Sequence, residues 1–352
     1  MKNQITIIIP TYKRPGFIRR ALYYWSAYPV NVIVVDGSPE ALFDINNPNL
    51  AKNVEYYHLP ISLEERFSFV SQKLASPYAA IISDDEFLTY SSLIEAAKIM
   101  DTHANVSAVL GATIGFNKIG KQFFCTMHYE SAQLMDISGI NAKERLAQRL
   151  SVIGNSIYYP LVRVEVLQDA LNFIAEQHYS CPYIAEYQME AILCMAGSVK
   201  VMPTLMWLRS FEAPMISEPM HDRGVLFHNW INDPNNFVDL ERLKISANKH
   251  FSKFSISNES VTGDQFVNCF EKYERISLGK KTNLTIIRRI YNYLPVNIRR
   301  IAVLIKQFFF RSPPANLKPL HNIIENMKAK NITFDMDELN RIQNIVLKNL
   351  HH

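Results

Sequence analysis

The first 116 residues alternate between two side-chain periods, and this alternation restricts the fold more than any other feature of the chain. Five runs of β-branched and apolar residues read as strands: "QITIIIP" (4–10), "VNVIVVDGS" (30–38), "VEYYHLP" (54–60), "YAAIIS" (78–83) and "VSAVLGATIGF" (106–116). Helical spacing falls between them. "GFIRRALYYWSA" (16–27) places Phe17, Ala21, Tyr24 and Trp25 on one face, and "SLEERFSFVSQKLAS" (62–76) opens with Ser62 as N-cap and Glu65 at the capping-box position. "SSLIEAAKIMDTH" (91–103) is the third helix. Such alternation predicts an α/β chain with a doubly wound, mostly parallel sheet. Ligands of these sheets sit beyond the carboxyl ends of the strands. Asp36 and the acidic triplet Asp84-Asp85-Glu86 both fall at such ends, so they share one crevice.

The triplet is itself unusual. It follows "AAIIS" at once and apolar residues resume at Phe87, with no Gly, Pro, Asn or Ser inside it to shape a solvated turn. Adjacent carboxylates repel, more so when partly buried. A cation held between them removes the repulsion.

The rest of the chain is read more coarsely. Residues 142–151, 161–177 and 184–198 have helical spacing, "VKVMPTLMWLRS" is a strand, and 211–236, with three prolines, is a long loop. Four scattered cysteines form no CxxC pair and the ten histidines no zinc spacing, which argues for a reducing compartment without a disulfide framework. No uninterrupted apolar run approaches the length needed to span a bilayer. The net charge of +4 hides an asymmetry: residues 280–311 hold eight Lys or Arg and no acid, and subtracting that +8 leaves −4 for the remainder. "NIRRIAVLIKQFFF" (297–310) sets an apolar arc including Ile301, Ile305 and Phe308 against Arg299, Arg300 and Lys306, and 284–291 behaves similarly. We therefore expect a globular unit at 1–279 and a basic amphipathic helical tail at 280–352. The basic residues alternate with an apolar arc rather than with aromatic stacking positions, which favours an anionic membrane surface at 284–310 over nucleic acid.

Taken in order, "ITIIIPTYKRPGFIRRAL", "VVDGSP", "SPYAAIISDDEFL", "YYPLVRVEVL", "AEYQMEAILCMAGSVKVMP" and "WLRSFE" resemble GT-A-fold glycosyltransferases of the family 2 type, in particular a bacterial surface-polysaccharide subfamily. The likeness spans roughly residues 4–212 and implies a Rossmann-like GT-A sheet. It also implies a nucleotide-sugar donor (a UDP-sugar first), a lipid-linked or oligosaccharide acceptor, and Mn²⁺ or Mg²⁺ between the donor's phosphates and the acidic motif. Carried over by position, Pro10, Thr11, Tyr12 and Asp36 hold the nucleoside. Arg66 and Lys73 reach toward the diphosphate, and Asp84 faces ribose or sugar. The metal falls to Glu86, where the family has Asp, or to Asp85, with His221 a further ligand candidate, and His221 and Asp222 of the long loop close over the diphosphate. Glu186 matches the catalytic base of an inverting reaction, with Glu190 one turn on as its rival. Arg163 and Arg209 match family positions without a derivable role. The resemblance places such an enzyme in the cytoplasm, peripheral to the inner face of the cytoplasmic membrane. A sugar nucleotidyltransferase is the enzymatic alternative, disfavoured because "PTYKRPG" has a single glycine. A non-catalytic carbohydrate-binding protein on the same fold is the other.

Overall fold

The computed structural model describes residues 4–43, 51–128, 135–151, 159–181, 183–212, 226–254, 261–280 and 317–348. The stretch 284–310, read from sequence as a membrane-surface segment, lies outside them, together with His221 and Asp222. Four parallel strands form the base of the fold. β1 (Ile5–Thr11) is flanked by β2 (Asn31–Asp36) and β4 (Tyr78–Ile81), and β3 (Val54–His58) continues from β2. Ile7 and Ile9 of β1 face one hydrophobic layer while Ile8 faces the other, and all three are fully buried. A strand covered on both faces needs apolar residues at every position, hence the unbroken "ITIII" and "VIVV".

The sheet then changes character. β8 (Leu161–Arg163) pairs antiparallel with β4 and with β6 (Val106–Ile119). β6 forms a hairpin with β7 (Gln122–His128) and runs parallel to β9 (Ser198–Ser210). Short β5 (Phe87–Leu88) is antiparallel to β9, and β10 (Lys318–Pro319) closes the edge against β7. The sheet differs from the sequence reading in its later strands, and short β5 and β10 were not expected. Residues 161–163 are strand rather than helix, since the helix starts at Val164. The hairpin strand β7 was not foreseen; its turn uses Gly120 at φ 62°, a backbone state open to glycine.

Helices cover both faces. α1 (Pro15–Trp25) and α3 (Tyr90–Thr102) pack in one layer. α2 (Leu63–Ser71), α4 (Ala142–Ser151), α5 (Val164–Ala175), α6 (Tyr183–Ala196), α7 (Phe227–Ile231), α8 (Phe237–Phe251) and α9 (Gly263–Lys280) contribute to the other. The stretch 226–254, read in part as loop, holds α7 and α8. The described C-terminal residues are built into the first layer. α10 (Leu320–Ala329) and α11 (Met336–Leu347) bury Ile323, Met327, Leu339, Ile342 and Val346 among the residues of α1 and α3. Glu338 of α11 accepts hydrogen bonds from Tyr24 Oη (2.5 Å), from the Tyr90 and Ser91 amides (2.5 and 3.1 Å) and from Ser91 Oγ (2.6 Å). It thus satisfies the first free amides of α3, the helix that follows the acidic motif.

Candidate active site

Because β1, β2 and β4 run the same way, their carboxyl ends bring Thr11, Asp36 and the acidic motif to one edge of the sheet. Thr11 Oγ1 donates to Asp84 Oδ2 at 2.6 Å, which joins the first strand to the motif directly. Asp85 accepts from Ser83 Oγ at 2.7 Å. The pairing of Phe87 with Leu208 draws the end of β9 alongside, and Trp207 Nε1 donates to Glu86 Oε2 at 2.9 Å. All three acids are buried. Burial pushes the Asp84 carboxyl up to about 7, against the pull of Arg14 and Thr11. Burial, then the Asp85 charge, pushes Glu86 up to about 8, with Trp207 and Arg209 opposing. The sequence reading asked for a cation here, and the structure supplies a guanidinium. Arg14 Nη1 lies 2.8 Å from Asp84 Oδ1 and Arg14 Nη2 lies 2.6 Å from Asp85 Oδ2.

Glu186 sits in the first turn of α6. It is exposed by surface area, yet protein crowds its carboxyl and pushes it up to about 7, first by desolvation and then through the Glu190 charge. Exposure and crowding oppose each other here, and water reaching the carboxyl moderates the shift. The Arg209 charge lowers the pKa of both Glu186 and Glu86, so its guanidinium lies within electrostatic reach of both carboxylates. Arg209 is held by a 2.9 Å hydrogen bond from Nη1 to His128 Nε2 and lies 5.8 Å from the Trp207 ring. Burial, and next the Arg209 charge, push His128 down to about 4, which keeps the imidazole neutral and able to accept that bond. Glu190, the rival base, is buried and paired with Arg149 at 2.7 Å.

Other expected residues take different places. Asp36 is fully buried; it accepts from the Ser38 and Leu42 amides (2.9 and 3.1 Å) and from Tyr56 Oη (2.5 Å). Its immediate work is to fold the 37–42 loop. Arg66 is buried and donates to the Thr11 and Val35 carbonyls at 3.2 and 3.3 Å, fastening the ends of β1 and β2. A Cβ on Gly37 would come 2.5 Å from Arg66 Cζ, so a larger residue there would displace the guanidinium. Lys73 is not brought to the crevice. It follows the far end of α2, exposed, with its ammonium 5.2 Å from the Phe69 ring centre. Pro10 and Tyr12 are half-buried at the end of β1. Arg163 caps other elements: Nε donates to the Val106 carbonyl at 2.7 Å and Nη2 to the Met100 carbonyl at 2.6 Å, tying α3 to β6. Sequence reasoning missed Arg14, Trp207 and His128. Arg14 was visible in "PTYKRPG" directly after β1; nothing local marks His128.

No protein-family model matches the sequence, and no curated protein matches it. Solved structures do. Residues 1–349 of S. aureus TarS match at TM-score 0.51 with 13% identity, over 82% of this chain and 77% of that one. The fold is of the GT-A type. TarS 1–349 solved with UDP-GlcNAc matches at TM-score 0.44 with 14% identity, over 77% and 80% of the two chains. A Pyrobaculum calidifontis mannosyltransferase solved with GDP-Man and Mn²⁺ matches at 0.40 with 13% identity, over 100% and 86%.

Hard carboxylate oxygens suit Mg²⁺ or Mn²⁺, which usually combine one or two carboxylates with substrate phosphates and water. The GT-A site meets that pattern in part. Asp84 Oδ1 and Asp85 Oδ2 point at one cationic group, and Asp84 Oδ1 is buried without a hydrogen-bond donor among the described residues. Glu86 spends Oε2 on Trp207 instead. No three His, Cys, Asp or Glu converge among the described residues, so phosphates and water would complete the shell.

Proposed function

We propose that this chain is an inverting glycosyltransferase that moves a sugar from a nucleoside-diphosphate donor, first of all a UDP-sugar, to a hydroxyl of a bacterial surface glycan. One observation carries the reading. Within a GT-A fold, Asp84 and Asp85 gather around the Arg14 guanidinium, and the charge of Arg209 acts on both Glu86 of the same motif and the accessible Glu186, whose pKa is raised. The two carboxylate settings suit two tasks. Glu186, titrating near neutral pH, takes the proton from the acceptor hydroxyl as the sugar carbon is attacked. Arg209, oriented by neutral His128, balances the charge on Glu186 and stands near the leaving diphosphate.

The nucleoside lies against Thr11, Tyr12 and the loop that Asp36 folds. Asp85, with Asp84 beside it, is the better candidate to hold a divalent cation, because Glu86 is turned to Trp207. That cation, when bound, supplies charge compensation for the departing diphosphate. Residues 284–310 rest on anionic lipid and bring the site to a lipid-linked acceptor.

Isothermal titration with UDP and GDP, with Mn²⁺ and with chelator, tests the reading. Binding of at least one diphosphate that weakens sharply with chelator or in Asp85→Asn is expected. Absence of binding by either nucleotide, or equal affinity with and without divalent metal, contradicts it.

A further inference from the structure

Arg14 is placed with unusual economy. It follows Lys13, whose φ of 55° is left-handed and rare for a side chain of that size, and whose amide is fastened to Ser38 Oγ at 2.8 Å. Arg14 occupies the N-cap position of α1 but makes no capping bond with its side chain. The turn directs it inward, where the guanidinium lies 4.5 Å from the Phe17 ring and is 11% exposed. Both terminal nitrogens contact carboxylates, yet Nε and Nη2 make no hydrogen bond of acceptable angle among the described residues. Arg20 offers the contrast nearby. It donates to Glu212 Oε2 at 2.5 Å and to the Asp85 carbonyl at 2.8 Å, so it contacts none of the motif's side-chain carboxylates. Arg20 spends both terminal nitrogens on hydrogen bonds and leaves Nε alone without one, whereas Arg14 rests between two charges with Nε and Nη2 both to spare.

We propose that Arg14 is the donor-free protein's own cation at the acidic motif and a ligand of the diphosphate once donor is bound. This rests on the reading of the preceding section. A guanidinium matches carboxylate and phosphate oxygens equally well in its planar, forked geometry. A divalent cation arriving alone meets a tethered positive charge already between Asp84 and Asp85. A cation arriving with a nucleoside diphosphate brings the oxygens to which Arg14 turns. Cation and nucleotide therefore bind with positive coupling, and Arg14 sets much of its size.

The test is direct Mn²⁺ binding, read by the electron paramagnetic resonance of free Mn²⁺, with and without UDP or GDP. Wild type and Arg14→Gln are compared after melting curves establish folding. Wild type should bind Mn²⁺ weakly alone and about 5- to 150-fold more tightly with nucleotide, the usual range of coupling between sites. Arg14→Gln should bind Mn²⁺ more tightly than wild type without nucleotide, and bind nucleotide less tightly. Unchanged or weaker nucleotide-free Mn²⁺ affinity in Arg14→Gln overturns the proposal while leaving metal-dependent transfer intact. If Arg14→Gln does not fold, Arg14→Lys decides: a lysine makes a single-point contact, so nucleotide affinity must fall, and unchanged affinity overturns the role. Should neither protein bind Mn²⁺ at any nucleotide concentration, the metal reading fails and this inference with it.

Discussion

Glu186 and Glu190 stand one turn apart on α6, on the same face of the helix, and have opposite surroundings. Glu190 is buried against Arg149, whose guanidinium lies 5.3 Å from the Tyr273 ring of α9. Glu186 meets solvent, has no hydrogen-bond partner among the described residues, and carries a pKa lifted to about 7. Spacing made them rivals; packing separates them. A carboxylate paired with a buried arginine is enclosed, which suits structure. A carboxylate in a crowded but open site, with its proton poised near neutrality, suits proton transfer.

The largest effect expected from this contrast is on turnover. Glu186→Gln keeps shape and hydrogen bonding but cannot take a proton, so turnover should fall about 10²–10⁴-fold with nucleotide affinity nearly unchanged. Steady-state kinetics alongside titration separates the two. Next comes stability. Glu190→Ala leaves Arg149 buried without its partner and should cost about 3–5 kcal/mol in urea unfolding. Glu186→Ala should stay within about 0.5 kcal/mol, as at other accessible positions. Equal losses at the two sites would erase the distinction.

Glu338, far along the chain, sharpens it with a third carboxylate. Glu338→Ala frees part-buried amides of α3 and should cost about 1–3 kcal/mol without altering the pH dependence of turnover. The smallest effects concern pH. Activity should rise with pH through about 7 as Glu186 deprotonates, and Arg209→Ala should move that limb upward by removing a nearby positive charge. Asp84, Glu86 and Glu186 all have folded pKa values above their ordinary ones. The folded chain therefore holds protons that the unfolded chain releases, and metal-free stability should decline as pH rises from about 5 to 8. Thermal melts across that range should show the downward slope, and Glu86→Gln should flatten it.

Legibility followed the range of the interactions. The parallel strands and their helices were readable because each is fixed by local periodicity, as in "ITIII" and the Ser62–Glu65 capping box, whose reciprocal bonds of 3.2 and 3.0 Å are present. β8 was hidden because three residues carry too little pattern, and its pairing depends on strands more than fifty residues away. At the site, position along the chain located the acidic motif and Glu186. It could not tell that Asp36 and Arg66 face inward to fold their own loops. Arg14 was passed over because an arginine beside a proline and a glycine reads as a surface turn. Its partners are seventy residues on, and only the sheet brings them together.

The central claim is that this crevice transfers sugar with Glu186 as base, and the most direct measurement is nucleoside-diphosphate release from a panel of UDP- and GDP-sugars with Mn²⁺ present. Wild type should release diphosphate from at least one donor, and Glu186→Gln should do so about a hundredfold or more slowly while melting at the wild-type temperature. Release from none of the donors, or Glu186→Gln working at the wild-type rate while a folded Glu190→Gln is silent, would contradict the account.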